Sequence, residues 1–120
     1  GLSAGQFDAT RGAAWIAKNI ECGAWVALVD GIAVGTIGVH ETTPWYSPTV
    51  YLTDGWLYVL PEYRKSTIGV ALIEEAKQFA KKADLPLVLN IFNMEDTELK
   101  IKLFQRKGFK LVGGTFISGE

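Results

Sequence analysis

The chain has 120 residues, twelve Lys+Arg against thirteen Asp+Glu, a formal net charge of −1 and 48% hydrophobic residues. This length predicts a single domain, residues 1–120, able to bury roughly two-thirds of its unfolded surface, and the apolar content argues against intrinsic disorder. A balanced charge argues against nucleic acid or an acidic membrane as partner, and no apolar run approaches the ~18 residues of a membrane-spanning helix. In chain order, residues 4–20 carry Phe7, Ala14, Trp15, Ile16 and Ala17 among polar positions and predict a helix. Asp8 or Thr10 opens its regular part, and Gly23 stops it. This N-terminal segment, 1–23, precedes a core expected over 24–117.

Two apolar, β-branched runs follow, Ala24 to Val29 and Ile32 to Val39, separated by Asp30-Gly31. That dipeptide between such runs predicts a hairpin, because both turn residues must take positive φ. Glu41 to Pro48 reads as a loop, and Thr49 to Leu60 as a long strand ending at Pro61. Ile68, Ala71, Leu72, Ala76, Phe79, Ala80 and Ala83 recur at helical spacing, with Ser66 or Thr67 as the cap. Leu85 to Phe92 predicts a short buried strand. A second amphipathic helix follows from about Thr97 to Lys107, stopped by Gly108, and Phe109 to Ile117 is the last expected strand. The order is that of an α/β or α+β sandwich built on a mixed sheet.

One junction carries chemical information. Leu57-Tyr58-Val59-Leu60-Pro61-Glu62-Tyr63-Arg64-Lys65-Ser66-Thr67-Ile68-Gly69-Val70 joins a strand to a helix through a short loop. Unpaired amides at a helix start, the positive end of the helix dipole and the charges of Arg64 and Lys65 together form an anion site suited to phosphate. Gly69 lets a ligand or a neighbouring strand approach the backbone closely. The alternative is an ordinary strand–helix connection with basic surface residues.

Val59-Leu60-Pro61-Glu62-Tyr63-Arg64 followed by Ile68-Gly69-Val70-Ala71-Leu72 closely resembles the acetyl-CoA-binding motif of the GCN5-related N-acetyltransferase (GNAT) family. Leu103-Phe104-Gln105-Arg106-Lys107-Gly108-Phe109 resembles that family's second hallmark, at the expected separation. The resemblance covers residues 24–117. It implies a single mixed, mostly antiparallel sheet with helices on both faces, and acetyl-CoA lying in a splay between strands 49–60 and 85–92. The pantetheine would pair with backbone groups of Leu57 to Val59, and the pyrophosphate would rest on amides from Arg64 through Lys65, Ser66, Thr67 and Ile68 to Gly69 and Val70. The Val59 amide would stand near the thioester carbonyl and stabilise the developing oxyanion.

The chain departs from the family pattern at three points. Thr67 replaces the first glycine of the loop; it is tolerated if the backbone there is ordinary helical, and its hydroxyl then has phosphate within reach. Phe104 stands where many members carry a tyrosine that protonates the departing thiolate, a role a phenyl ring cannot fill. About twenty residues precede the first strand, so the family's own first strand is expected to be absent. That leaves an edge a second copy could cover as a homodimer. The chain also opens on Gly1 rather than Met, consistent with a trimmed boundary.

Acetyl transfer to an amine requires a proton acceptor. Asp54, two residues before Trp56 and four before Tyr58 on one strand face, would have its pKa raised by burial; alternatively Asp54-Gly55 is a bulge or turn with a solvated carboxylate. His40 and Glu41, expected at the end of the second strand, suit proton transfer and cation binding respectively, or pack at the surface. Tyr58 is a substitute acid or a satisfied core tyrosine. Asn90 orients water or pantetheine, or is a buried amide at a strand bulge. Asn93 and Thr97 stand before the last helix, where relatives contact the cofactor; Thr97 matches by counting back from Gly108, and both also suit a turn and cap. Trp45 and Tyr46, between Pro44 and Pro48, form a substrate wall, an oligomer contact or a packed loop. Lys100, Lys102, Arg106, Lys107 and Lys110 either meet the CoA 3′-phosphate or form a solvated face.

Cys22 has no metal-ligand spacing and is expected as a small core residue; with one histidine, no metal site is expected. A reducing, cytoplasmic setting is the default. The combined reading is an N-acetyltransferase moving acetyl from acetyl-CoA to a primary amine, a small molecule or a peptide, through a ternary complex. The rival reading is a catalytically weak acyl-CoA-binding module.

Overall fold

The computed structural model of the chain describes residues 8–90, 97–114, 116, 118 and 119. These fall into two compact units, one over Asp8–Asn90 and one from the described part of Ile91–Glu120. In the first, helix α1 spans Ala9–Cys22 and strands β1, β2 and β3 span Gly23–Val29, Ile32–Thr42 and Tyr51–Val59. A 3₁₀ turn at Pro61–Tyr63, helix α2 at Ile68–Ala83 and a two-residue strand β4 at Leu87–Val88 follow. The sheet runs β1-β2-β3-β4, antiparallel except for the parallel β3–β4 pair. It is the mixed, mostly antiparallel sheet expected.

Local chemistry explains the elements. Asp8 caps α1, its Oδ1 accepting the Arg11 N–H at 3.1 Å. Asp30 and Gly31 take φ of 50° and 79°, and Val29 faces Ile32 across the two-residue turn, as a primed hairpin turn requires. At α2, the Ile68 amide donates to Ser66 Oγ at 3.2 Å, while the Thr67 side chain caps nothing. Asp84, at φ 55°, ends α2 in the left-handed region.

The core lies between α2 and the sheet: Ile37, Val39, Leu72 and Ala76 are buried, with Trp25, Leu57, Val59 and Phe79 packed around them. Cys22 is half-buried against this core, and burial pushes its thiol pKa up. Helix α1 is the helix whose Asn19 reaches His40 on β2.

Several boundaries differ from expectation. β2 runs on to Thr42, so His40 and Glu41 lie within the strand rather than at its end. Extended pairing with β3 over Glu41↔Leu52 and Thr42↔Tyr51 carries it past the expected loop start. The strand predicted over 85–92 shrinks to Leu87–Val88, since β4 finds partners only at Leu52 and Thr53; Ile91 and Phe92 lie outside the described residues. The strand predicted over 109–117 is not formed by its described residues, which make no ladder. Residues 4–7 of the first predicted helix and Asn93 also lie outside the described residues.

In the second unit, α3 spans Thr97–Arg106. It stops as the sequence requires: Gly108 takes φ 91°, its amide donates to Gln105 O at 3.1 Å and the Phe109 amide to Phe104 O at 3.0 Å. The Phe104 and Phe109 rings meet with centroids 5.8 Å apart. These are the two hydrogen bonds and the apolar contact of a Schellman helix stop. No helix among the described residues is long and apolar enough to cross a membrane.

Candidate active site

The site begins at the short parallel pair of β3 and β4. β3 and β4 pair only at Leu52↔Leu87 and Thr53↔Val88, and beyond Thr53 the outer edge of β3 has no strand beside it among the described residues. The Leu60 amide donates to Val34 O at 2.8 Å across to β2. Alternation along an antiparallel ladder therefore turns the backbone groups of Tyr58 and Trp56 toward β2 and those of Leu57 and Val59 to the outer edge of β3. Arg64 confirms this for one of them, its Nε donating to the Val59 carbonyl at 2.9 Å.

Past Pro61 the chain turns into α2. Four amides of this turn are used internally: Tyr63 to Leu60 O, Arg64 to Pro61 O, Ser66 to Tyr63 O, and Ile68 to Ser66 Oγ. Those of Lys65, Thr67, Gly69 and Val70 make no hydrogen bond to a described residue, as expected for a helix start. The donor set is thus narrower than the continuous run expected from Arg64 to Val70. Thr67 lies at φ −84°, so it substitutes for glycine without strain, and its hydroxyl is uncommitted. A Cβ at Gly69 would meet only Val59 Cγ2, at 3.7 Å. Packing against the strand therefore does not demand glycine there. The Arg64 guanidinium is also not directed as a free charge at the loop: besides the Val59 carbonyl it stands 5.4 Å from the Tyr58 ring centroid.

A bulge shapes the middle of β3. His40 faces Thr53, Val39 faces Asp54 and Gly38 faces Trp56, leaving Gly55 as the extra residue. The alternation breaks there, so Asp54 does not share a face with Trp56 and Tyr58 as a regular strand would have it. A Cβ on Gly55 would lie 2.2 Å from Asn19 Oδ1, so only glycine lets α1 approach. Trp15 ties the bulge to α1, its Nε1 donating to the Gly55 carbonyl at 3.0 Å.

Asp54 is half-buried and its pKa is raised, mainly by desolvation, against the lowering effect of hydrogen bonds from Asn90. Its Oδ1 accepts from the Asn90 amide at 3.1 Å and from Asn90 Nδ2 at 3.3 Å; Nδ2 also reaches Thr53 Oγ1 at 3.2 Å. Asn90 is exposed, not a buried amide, and it straps the end of the β4 segment to β3.

His40 is 5% exposed, opposite the last residue of β3 that β4 pairs. Its Nδ1 lies 3.0 Å from Asn19 Oδ1, and its ring meets Trp15 edge to face at 4.6 Å between centroids. Desolvation holds its pKa below the ordinary value; Lys18 acts in the same sense and Asp54 opposes them. Tyr58 is 50% exposed, which removes the reading of a buried core tyrosine. Its place at the open end of β3, opposite Thr36 and under Arg64, explains the exposure. Trp45 and Tyr46 are 96% and 73% exposed and touch each other edge to face at 5.4 Å, so the loop does not pack them away. Glu41 is exposed on β2. Phe104 is half-buried on α3, and the side chain of Thr97 lies outside the described residues. No cluster of three or more His, Cys, Asp or Glu side chains that could hold a metal occurs among the described residues.

Sequence reasoning missed Asn19 and Trp15. Their four-residue spacing puts both on one helix face, a signal available in advance, but nothing in the sequence says that this face meets a histidine.

Residues 21–111, well over half of the chain, match the acetyltransferase (GNAT) domain family. The chain belongs to that family. Solved structures share the GNAT fold. One is AAC(6')-Iy in complex with the bisubstrate analog CoA-S-monomethyl-acetylneamine, at 13% identity over 98% of this chain and 83% of that one, TM-score 0.71. A second is Naa50 from Arabidopsis thaliana in complex with the bisubstrate analogue CoA-Ac-MVNAL, at 20% identity over 92% and 70%, TM-score 0.70. A third is the aminoglycoside acetyltransferase HMB0005 from an uncultured soil metagenomic sample, at 21% identity, 81% of this chain and TM-score 0.62. This GNAT chain spans 64% of the length of that third protein. At these identities the likeness establishes the fold. No curated protein matches the sequence.

Proposed function

We propose that this GNAT domain is an N-acetyltransferase that moves an acetyl group from acetyl-CoA to a primary amine in a ternary complex. The observation that carries the reading is the row of backbone groups that Leu57 and Val59 turn to the outer edge of β3, followed at once by open amides at the start of α2. An extended amide chain such as pantetheine pairs with the first feature, and a diphosphate with the second. With the Val59 carbonyl taken by Arg64, the Val59 amide remains for the thioester oxygen. One such donor is worth roughly 3 kcal/mol at a developing oxyanion. Lys65, Thr67, Gly69 and Val70 supply the diphosphate amides, with the Thr67 hydroxyl beside them; Ser66 and Ile68 act by shaping the turn.

Attack by the amine forms a C–N bond at the acetyl carbon and breaks the C–S bond, and the nitrogen gives up a proton. Asp54 and His40 are the candidate acceptors beside the β3–β4 pair, and Tyr58 is the candidate hydroxyl on β3 for the departing thiolate. The bisubstrate complexes of AAC(6')-Iy and Naa50 support direct transfer, to an aminoglycoside-type amine or a peptide. Glu41, Trp45 and Tyr46 are the acceptor-side candidates. Asn90, Thr97 and Phe104 are carried over from the family likeness as cofactor contacts.

Phe104 supports a second reading, an acyl-CoA-binding module without turnover, since its ring has no proton to give. Two measurements test both. CoA at a hundredfold excess over Kd stabilises the fold by about 2.7 kcal/mol if it binds. Thiol release from acetyl-CoA then rises with an amine acceptor. Binding without acceptor-dependent release supports the module; no thermal shift with CoA removes both readings.

A further inference from the structure

The proton acceptor can be resolved further, on the acetyltransferase reading just given. Asn19 is completely buried, and its side-chain amide has one possible orientation. Nδ2 donates to the Trp15 carbonyl at 2.9 Å, and a carbonyl can only accept. Oδ1 therefore faces His40 Nδ1, 3.0 Å away, and the ring nitrogen must be the donor. The other ring nitrogen, Nε2, makes no hydrogen bond to a described residue. Nε2 is thus the ring nitrogen that no described residue holds. The pocket around the amide is built: Trp15 holds the bulge carbonyl and packs on the ring, and Gly55 leaves the space a Cβ would take from Asn19.

We propose that Asn19 is a positioning residue that locks His40 as the Nδ1–H tautomer, and that Nε2 takes the proton from the acceptor amine. The amine nitrogen bonds to the acetyl carbon, the C–S electron pair leaves on sulfur, and the proton shed by nitrogen passes to Nε2 and then to the thiolate, giving the amide and free CoA thiol. Asn19 suits this role in both states, because Nδ1–H remains a donor to Oδ1 whether the ring is neutral or protonated. Proton exchange is thereby confined to one atom. An amide in place of a carboxylate also leaves the neutral ring favoured, as an acceptor needs. The charged groups acting on the ring are Lys18 from α1 and Asp54 from β3.

His40 is the one histidine of these 120 residues, so nitrogen-15 NMR of this chain reads it without assignment. The wild type is expected to show a single neutral tautomer, protonated at Nδ1, with its titration midpoint below the ordinary histidine value. Asn19→Asp places a carboxylate on Nδ1 and should raise that midpoint by roughly 1–3 units. The acid limb of kcat/KM must move to higher pH by the same amount, and His40→Gln must lower kcat about 10²–10⁴-fold with CoA binding retained. An Nε2–H or mixed tautomer in the wild type overturns the lock. An NMR midpoint that moves in Asn19→Asp while the acid limb stays still overturns His40 as acceptor, and so does a His40→Gln enzyme with near-normal kcat. If no amine elicits thiol release, the proton-transfer role falls with the acetyltransferase reading, and the tautomer measurement, which needs no turnover, shows that failure to be separate from the lock.

Discussion

Gly69→Ala separates the fold's needs from the ligand's. The residue sits in the first turn of α2 in ordinary helical backbone, and the single atom within 4 Å of an added Cβ is Val59 Cγ2 at 3.7 Å, a normal contact. Nothing in the described structure pushes back, so the helix gains alanine's lower conformational cost, about 0.5–1 kcal/mol. For a domain of this size that raises Tm by roughly 2–5 °C. On the ligand side the methyl stands beside the open amides of Thr67, Gly69 and Val70, where the diphosphate would lie. Losing one charge-assisted hydrogen bond there costs about 1.5–3 kcal/mol, or roughly 10- to 150-fold in acetyl-CoA affinity. Thermal melts with and without CoA, with calorimetry for Kd, read both effects on one sample. A variant that melts higher yet binds CoA as tightly as the wild type refutes the diphosphate site at this helix start. A variant that melts lower refutes the packing argument.

Gly108→Ala forces a side chain into φ 91° at the end of α3 and should destabilise by about 1–2 kcal/mol, measured by urea unfolding; an unchanged midpoint would contradict the Schellman stop. Asp84→Gly relieves the left-handed residue that ends α2 and should stabilise by about 0.5–1 kcal/mol. Asp54 makes acid stability a test of its burial. Its folded pKa lies above the ordinary 3.8, so its favourable contribution is full below that value and is lost as pH rises through the folded pKa. Asp54→Asn should therefore be at least as stable as wild type at neutral pH, with the difference shrinking on acidification; urea melts across that range giving a constant difference would show that the carboxylate is not desolvated.

The two hallmark segments were equally legible as sequence, yet the structure gives them different physical content. In Leu103 to Phe109 the helix stop gives Phe104, Gly108 and Phe109 a structural purpose: a left-handed glycine, one 3₁₀-type and one π-type hydrogen bond and one aromatic contact. Val59 to Val70 differs. Thr67 and Gly69 are free of any packing or φ demand, and the amides beside them are unspent, so the segment carries information that the fold by itself does not consume. The hairpin, α2 and the strand before Pro61 could be read because turn chemistry and periodicity are local. The bulge at Gly55 and the seat of His40 could not, since both depend on Trp15 and Asn19, residues brought in from 40 and 21 positions away. A strand read as regular would have assigned Asp54 to the face of Trp56; one extra residue moves it to the other, where Asn90 holds the carboxylate, while Asn19 and Trp15 hold the histidine. What the periodic pattern hides is thus the part of the strand to which the proposed proton transfer is assigned.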